Sequence, residues 1–327
     1  MKRASEYQVG EKIQNSYIGI ISADILPYSR GTYLLIKFND GAAIGVGKKW
    51  NHTENDLIPE VGKVYNVSGE MKDFRGKYID ISNIELNTEP DAIKYVTKTS
   101  YIPKDNLKQI IRSAVDSIEN KEIKEFTEGV ISGELIHTQE NYFDAPSAVG
   151  IHHNFLGGNA QHSTEVLEYA LSMANVKNKT TGDRAINLDL IKMGALLHDI
   201  GKLNCYTMKI FEPQMTEIGK LNDHIVEGIG LLYEAINNFC TKKNLPQKPN
   251  WFKLLIHIVA SHHENLEWGS PVKPSFEEAL IIARADNMSA SLISMSESIK
   301  NIDAEDGFET KRNFQFQTRL YKLNNEL

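Results

Sequence analysis

The sequence centres on the stretch Ala195–Lys202, which reads Ala-Leu-Leu-His-Asp-Ile-Gly-Lys. Its apolar first half is typical of a buried helix, whereas an imidazole and a carboxylate at the same depth each need a proton, a partner or a metal. Adjacent helical residues point about 100° apart, so His198 and Asp199 reach one ion only where a helix end presents them to a cavity. Two interpretations follow: side chains satisfied by hydrogen bonds at a helix end, or ligands of a metal ion.

Composition indicates a globular chain with more than one core. Its 327 residues are 41% hydrophobic, which is enough for two domains. No run of about eighteen or more apolar residues occurs and the first residues are polar, so we expect a soluble cytoplasmic protein with no membrane partner. The net charge of −7 argues against a broadly basic nucleic-acid surface, but bound divalent cations could still clamp phosphoryl oxygens.

The first quarter of the chain has the pattern of short strands separated by turn residues. The segments are rich in β-branched and aromatic residues, and Asn39–Gly41 (Asn-Asp-Gly) predicts a hairpin between the second and the third. Strands of this number and length predict a small closed barrel of the OB type. The predicted strands are 17–21, 32–38, 42–46, 63–69 and 77–81.

One face of this barrel is predicted to bind single-stranded nucleic acid. Aromatic rings would stack on unpaired bases, and basic side chains would contact phosphates. The alternative is that each ring fills the barrel core and each basic side chain is merely solvated. The residues assigned to nucleic-acid binding are Tyr33, Phe38, Trp50, Phe74, Arg75 and Lys77.

Beyond Thr88 the pattern changes from strands to helices. Apolar residues recur at helical spacing between Leu107 and Ile118, and strand signals are sparse from there onward. We therefore predict a multidomain chain in which an N-terminal β-barrel precedes an all-α domain. The predicted boundaries are 1–88 for the barrel, 89–128 for a linker and helical connection, 129–300 for the helical domain and 301–327 for a C-terminal tail.

Histidines are concentrated in the helical part. Eight of the ten lie between His152 and His263, and Asp286 follows an apolar helix much as Asp199 does. Side chains from separate helices can converge inside a bundle and hold metal ions. The predicted metal ligands are His162, His198, Asp199, His224, His262 and Asp286, with Asp199 bridging two ions, while His263 and His152 are outer groups or alternative ligands.

The donor types narrow the choice of metal. Imidazole and carboxylate together suit transition metals better than Ca²⁺, whose sites are dominated by oxygen. We predict one or two divalent ions, with Mn²⁺ as the first choice and Fe, Ni, Co, Zn and Mg as alternatives.

The order of His162, His198, Asp199 and Asp286 resembles the metal-binding pattern of the HD-domain phosphohydrolase superfamily. The flanking segments are similar to those of the YhaM-type 3′-5′ exoribonucleases, which also carry an OB-type barrel before the HD domain. The resemblance covers nearly the whole chain and is weakest beyond about Leu292. The segments that carry it are 152–162 (His-His-Asn-Phe-Leu-Gly-Gly-Asn-Ala-Gln-His), Leu196–Lys202 and Ser261–Pro271.

This resemblance implies a metal-dependent phosphodiesterase that uses metal-activated water. The implied activity is that of a 3′-5′ exoribonuclease on single-stranded RNA, with single-stranded DNA as a further substrate. Asp199, Lys202 and His153 are then the catalytic residues, and Lys202 would reach the scissile phosphate or the attacking water.

Two alternatives stay open at this point. The first is a hydrolase of a small nucleotide, either a cyclic dinucleotide or a nucleoside triphosphate. The second is a non-catalytic nucleic-acid-binding protein. The predicted partner is single-stranded nucleic acid, with RNA favoured, and association into a homo-oligomer is left open.

Overall fold

The computed structural model describes residues 2–150, 153–181, 184–300, 302, 307–308 and 312–323. The chain divides into two compact units. The first is Met1–Tyr101 together with Thr207–Gln214, and the second is Ile102–Tyr206 together with Met215–Leu327. Among the residues described, no helix is long and apolar enough to cross a membrane.

The first unit is a closed five-stranded barrel, as predicted. Its strand order is β1-β2-β3-β5-β4, with β4 returning to β1, and the β3–β5 pair is parallel while the other pairs are antiparallel. The long strand β1 pairs with both β2 and β4, and a bulge at Ile20–Ser22 marks a shift in its pairing with β2. The strands are β1 Lys12–Tyr28, β2 Gly31–Asn39, β3 Ile44–Lys49, β4 Val64–Asp73 and β5 Lys77–Leu86, followed by helix α1 Ala92–Val96.

Alternation along β2 decides which side chains fill the barrel. Leu34, Ile36 and Phe38 share one parity and lie in the core, where Phe38 is only 3% exposed. Tyr33 has the opposite parity and is half-buried. The assignment of Phe38 to the nucleic-acid-binding face is therefore corrected, because its ring has no free surface on which a base could stack.

The predicted turn between β2 and β3 is confirmed. Asn39 Oδ1 accepts a hydrogen bond from the Gly41 amide at 2.7 Å, and Gly41 adopts a φ of +84°. A side chain at this position would also meet the Tyr95 carbonyl oxygen at 2.1 Å. Glycine is needed here both for its backbone conformation and for the close approach of α1.

The second unit is helical and is built around α4, which packs against α5 and α9. Its core contains large apolar side chains such as Phe126, Leu232 and Ile282. The helices are α2 Lys104–Asp116, α3 Lys121–Ile131, α4 Gly158–Thr180, α5 Leu188–Leu197, α6 Lys202–Cys205, α7 Glu217–Lys243, α8 Asn250–Ser261 and α9 Glu277–Lys300. In the predicted tail, two short strands, β8 Gly307–Phe308 and β9 Tyr321–Lys322, pair with each other.

A β-hairpin interrupts the helical sequence and was not predicted. It consists of β6 Tyr206–Lys209 and β7 Glu212–Met215, and its tip belongs to the barrel unit. Phe211 is buried against the barrel, and Asn39 Nδ2 donates a hydrogen bond to its carbonyl oxygen at 2.8 Å. Ile210 and Phe211 both have positive φ, a conformation that Asn and Gly adopt most readily. Because neither residue is of that type, the sequence did not indicate this turn.

Candidate functional site

Four predicted ligands from three helical segments meet around the Asp199 carboxylate. The Oδ2 atom of Asp199 lies 3.3 Å from Nε2 of both His162 and His198. Nε2 of His162 also lies 3.0 Å from Oδ1 of Asp286. All four side chains are buried, and one donor atom from each lies within 4.8 Å of the others. These residues come from α4, the end of α5, and α9.

A second set of imidazoles faces the other oxygen of the same carboxylate. Nε2 of His224 and Nε2 of His262 each lie 3.5 Å from Oδ1 of Asp199. His263 lies beside them, with its ring 4.4 Å from that of His262. The Asp199 side chain therefore has one oxygen in each of two groups of candidate ligands.

Helix ends explain how two of these rings are aimed. His198 follows α5 and His262 follows α8, and each Nδ1 donates to the carbonyl three residues earlier. The acceptors are Ala195 O at 2.9 Å and Val259 O at 2.8 Å. Carbonyls in a last helical turn have no partner within the helix, so they can accept from the ring. This contact leaves Nε2 of both rings as acceptors that face Asp199.

Side chains orient two other rings. His224 Nδ1 donates to Asp223 Oδ1 at 2.5 Å, at a kink in α7 where Asp223 has a φ of 62°. His263 Nδ1 donates to the Trp268 carbonyl at 2.7 Å. In each case Nδ1 is used by this hydrogen bond, so Nε2 is the ring nitrogen through which His224, His262 and His263 could bind a metal.

The charges in this cluster are strongly coupled. Although burial raises the pKa of Asp199, the Lys202 ammonium and the neighbouring His198 ring outweigh it and hold that pKa well below its usual value. Although burial lowers the pKa of His162, the Asp199 and Asp286 carboxylates raise it to about 9. Burial lowers the pKa of His224 and of His262. Divalent metal binding requires ionised carboxylates and neutral imidazoles, so a bound ion would displace the proton that these carboxylates hold on His162.

Buried atoms without hydrogen bonds support a cation at this place. Within the described part of the chain, Asp199 Oδ1, His224 Nε2 and His262 Nε2 are buried and have no hydrogen-bond partner. Each such atom costs about 1–3 kcal/mol. All three are acceptors that converge on one space, and a divalent cation would satisfy them together. The donor set fits the ion predicted from the sequence, without selecting one metal.

The remaining predicted site residues differ in their surroundings. Lys202 is buried, with Nζ 2.7 Å from Asp199 Oδ2, and it donates to Ser147 Oγ at 3.0 Å. His153 is also buried, but its Nε2 lies 3.1 Å from Glu165 Oε2 rather than beside Asp199. Its catalytic assignment stays a prediction, and His152 lies outside the described residues.

Sequence reasoning missed several polar residues behind the ligands. Ser147 contacts Lys202, and Glu165 and Ser289 lie on the far side of His162. Glu165 follows His162 by three residues, and Ser289 follows Asp286 by three residues. This spacing puts each of them one helical turn beyond a ligand, but it becomes informative only once α4 and α9 are known to pack together.

Gly201 permits the close contact between the end of α5 and α7. A Cβ at this position would lie 2.0 Å from the His224 carbonyl oxygen and 2.5 Å from the Gly228 amide nitrogen. We expect Gly201→Ala to separate these segments, to destabilise the chain by about 1–3 kcal/mol and to weaken metal binding. Chemical denaturation and Mn²⁺ titration measure the two effects.

The matched control is Gly230→Ala, at an exposed position of α7 where a Cβ meets nothing within 4 Å. There the loss of glycine flexibility should stabilise the chain by about 0.5–1 kcal/mol. Equal effects of the two substitutions would contradict the role given to Gly201.

On the barrel, three rings form an aromatic cluster that includes two predicted binding residues. The ring centroid of Trp50 lies 4.8 Å from that of Tyr33 and 5.2 Å from that of Tyr28. Lys48 adds a positive charge, with Nζ 4.0 Å from the Tyr78 ring centroid and 5.9 Å from that of Trp50. Tyr28 is a member that the sequence did not single out.

The other predicted binding residues lie at the turn between β4 and β5. Phe74 is 67% exposed, and the Arg75 guanidinium lies 5.6 Å from its ring centroid. Lys77, the first residue of β5, is exposed as well. These three side chains offer one ring and two positive charges to solvent.

Comparisons with known proteins agree with this organisation. The family model described as "HD domain" matches residues 159–291. A "3'-5' exoribonuclease YhaM" from Geobacillus sp. (strain WCH70) is 27% identical over 98% of this chain and 92% of its own length. A protein of the same name from Listeria innocua is 25% identical over 99% of this chain and 96% of its own length. One from Halalkalibacterium halodurans is 29% identical over 90% of this chain and 88% of its own length.

Among solved structures, the second OB-fold domain of replication protein A from Methanococcus maripaludis aligns with 27% of this chain and 95% of its own. The identity is 18% and the TM-score is 0.21. The family model covers the segment that supplies His162, His198, Asp199, His224, His262 and Asp286. Residues 159–291 are therefore similar to HD domains, and the similarity of the chain to the YhaM proteins extends over the barrel as well as the helical unit.

Proposed function

We propose that this chain is a divalent-metal-dependent 3′-5′ exoribonuclease that hydrolyses single-stranded RNA, with Mn²⁺ as its metal. The observation that carries the proposal is the Asp199 carboxylate, whose two oxygens face two separate groups of histidines. An arrangement of this kind suits two ions that act on one phosphodiester. The relatives named as exoribonucleases align with nearly the whole chain, which supports the same activity here.

In this proposal each ion has its own ligands. His162, His198, Asp199 and Asp286 would hold one ion, and His224 and His262 together with Asp199 would hold the other. His263 is the alternative ligand of the second group, because it clusters with His224 and His262. When bound, such ions polarise phosphoryl oxygens and lower the pKa of water towards neutrality.

Lys202 supplies a fixed positive charge at the same centre. Its ammonium is buried between the Asp199 carboxylate and the Ser147 hydroxyl. Although burial lowers the pKa of Lys202, Asp199 outweighs it and raises that pKa, so the side chain stays charged. An ammonium held in a buried site stabilises the negative charge that develops on a phosphoryl oxygen in the transition state.

The barrel would hold the substrate strand, and Trp50 is the ring of the aromatic cluster that lies closest to the Lys48 ammonium, at 5.9 Å. We expect Trp50→Ala to weaken binding of single-stranded RNA by about 1–3 kcal/mol, or roughly 5- to 150-fold, because one stacking surface is lost. Fluorescence anisotropy with labelled RNA measures the affinity.

Phe314→Ala is the control, because Phe314 is 90% exposed and belongs to the helical unit. It should leave RNA affinity unchanged. Unchanged affinity in the Trp50 variant as well would remove the cluster from the proposed binding face.

The activity is tested by incubating the full chain and Mn²⁺ with four substrates side by side. These are 5′-labelled RNA, 3′-labelled RNA, single-stranded DNA and a cyclic dinucleotide. We expect 5′-labelled RNA to shorten stepwise and 3′-labelled RNA to release its label at once as a mononucleotide. Cleavage of the small nucleotide alone would establish the small-nucleotide hydrolase instead and refute the exoribonuclease.

We also propose the cytoplasmic location predicted from the sequence, because single-stranded RNA is an intracellular substrate.

A further inference from the structure

Behind the metal centre, hydrogen bonds converge on a carboxylate that is not itself a candidate ligand. Glu165 Oε2 accepts from Ser289 Oγ at 2.6 Å and lies 3.1 Å from His153 Nε2. Glu165 Oε1 accepts from Gln161 Nε2 at 2.9 Å. Glu165 stands on α4, one turn after His162, and Ser289 stands on α9, one turn after Asp286. The network therefore joins the two helices that supply the first group of ligands.

The chemistry of these groups fixes the direction of each hydrogen bond. An ionised carboxylate can only accept, so the Ser289 hydroxyl donates its hydrogen to Glu165. The Ser289 oxygen then accepts from His162 Nδ1, which lies 3.0 Å away. With Nδ1 donating to Ser289, Nε2 is the nitrogen that faces Asp199 and Asp286, so the proton on Nε2 is the one that a metal ion would replace.

The position of His162 in its helix explains why it needs this arrangement. His198 and His262 stand at helix ends, where free backbone carbonyls accept from their Nδ1 atoms. His162 lies inside α4 (Gly158–Thr180), where carbonyls are committed to the helical ladder. A side-chain acceptor must take the place of the carbonyl, and Ser289 is fully buried at that point.

We propose that Glu165 and Ser289 are positioning residues, which hold His162 as the Nδ1–H tautomer so that its Nε2 atom is available to a metal. The role given to the metal rests on the proposed function, whereas the hydrogen bond from His162 Nδ1 to Ser289 is a property of the metal-free chain. His153 belongs to the same network, because its Nε2 atom contacts the Glu165 carboxylate. Outer partners of this type commonly change metal affinity by about 10- to 100-fold.

The test compares Ser289→Ala with Ser294→Ala in the full-length chain. Ser294 is a buried serine of the same helix, and its hydroxyl makes no hydrogen bond to any described residue. Calorimetric titration with Mn²⁺ should show affinity about 10- to 100-fold weaker for Ser289→Ala and unchanged for Ser294→Ala. Glu165→Gln should also bind Mn²⁺ more weakly, and it provides the comparison if Ser289→Ala does not fold.

A second measurement separates positioning from packing. The Nδ1–H proton of His162, which donates to Ser289 Oγ in a buried site, should give a slowly exchanging NMR signal in the metal-free chain near neutral pH. We expect this signal in the wild type and in Ser294→Ala, and its loss in Ser289→Ala. Wild-type Mn²⁺ affinity in both Ser289→Ala and Glu165→Gln, or the absence of a protected Nδ1–H signal in the wild type, would overturn the inference. A wild type that binds no divalent metal but shows this signal would refute the proposed function and leave the hydrogen-bond assignment supported.

Discussion

Replacing Asp199 by asparagine is expected to lower hydrolysis of single-stranded RNA by at least about 10³-fold. Both groups of candidate ligands use this one carboxylate, so the substitution weakens both at once. Loss of several kcal/mol of transition-state stabilisation corresponds to a factor of this size. RNA affinity should change little, because the barrel residues are untouched. Multiple-turnover kinetics and anisotropy on the same preparation measure the two effects.

The Asp199 variant needs two controls. Asp105→Asn changes a carboxylate whose side chain is 94% exposed, and it should retain full activity. Asp199→Asn also leaves the buried ammonium of Lys202 without its partner, which destabilises the fold. The double variant Asp199→Asn, Lys202→Met removes both charges, so it should fold better and remain inactive. Wild-type turnover in either Asp199 variant would exclude this carboxylate from the active centre.

Replacing Lys202 by methionine is expected to separate catalysis from metal binding. The ammonium lies 2.7 Å from Asp199 Oδ2 and repels a cation bound at the same carboxylate. Its removal should tighten Mn²⁺ binding by about tenfold. The turnover number should nevertheless fall by about 10²–10³-fold, because a charge aimed at the phosphoryl group is lost. Calorimetry and single-turnover kinetics under saturating Mn²⁺ give both values.

Lys192→Met serves as the control for Lys202. Lys192 lies on α5, and within the described part of the chain its ammonium donates a hydrogen bond only to the Ser117 carbonyl. Neither metal affinity nor turnover should change in that variant. If Lys202→Met weakened Mn²⁺ binding and turnover together, the lysine would be supporting the structure of the centre rather than acting on the phosphate.

The barrel and the principal ligands could be predicted because their signals are local. The Asn39–Gly41 turn and the period of two in the strands are readable from adjacent residues, and β2 follows them closely. His198 and Asp199 follow the apolar helix α5, and their place at its end lets both side chains face the other candidate ligands. Phe38 was misassigned because it was chosen for its aromatic ring alone. In the alternation along β2 it lies on the same side as Leu34 and Ile36, which fill the core.

Features that depend on distant contacts were not foreseen. Phe211 anchors the unpredicted hairpin through contact with a barrel residue, Asn39, that is far away in the chain. Its turn also lacks the Asn or Gly that normally marks such a conformation. Glu165 and Ser289 become meaningful only when α4 and α9 are brought together. A carboxylate one turn after a ligand is otherwise indistinguishable from an ordinary surface residue.

The sharing of Asp199 between two metal ions is tested most directly by electron paramagnetic resonance during Mn²⁺ titration of the full chain. We expect two ions per chain with a spin-coupled spectrum, and loss of that coupling in Asp199→Asn. A single uncoupled ion in the wild type, or a coupled pair that persists in Asp199→Asn, would contradict it.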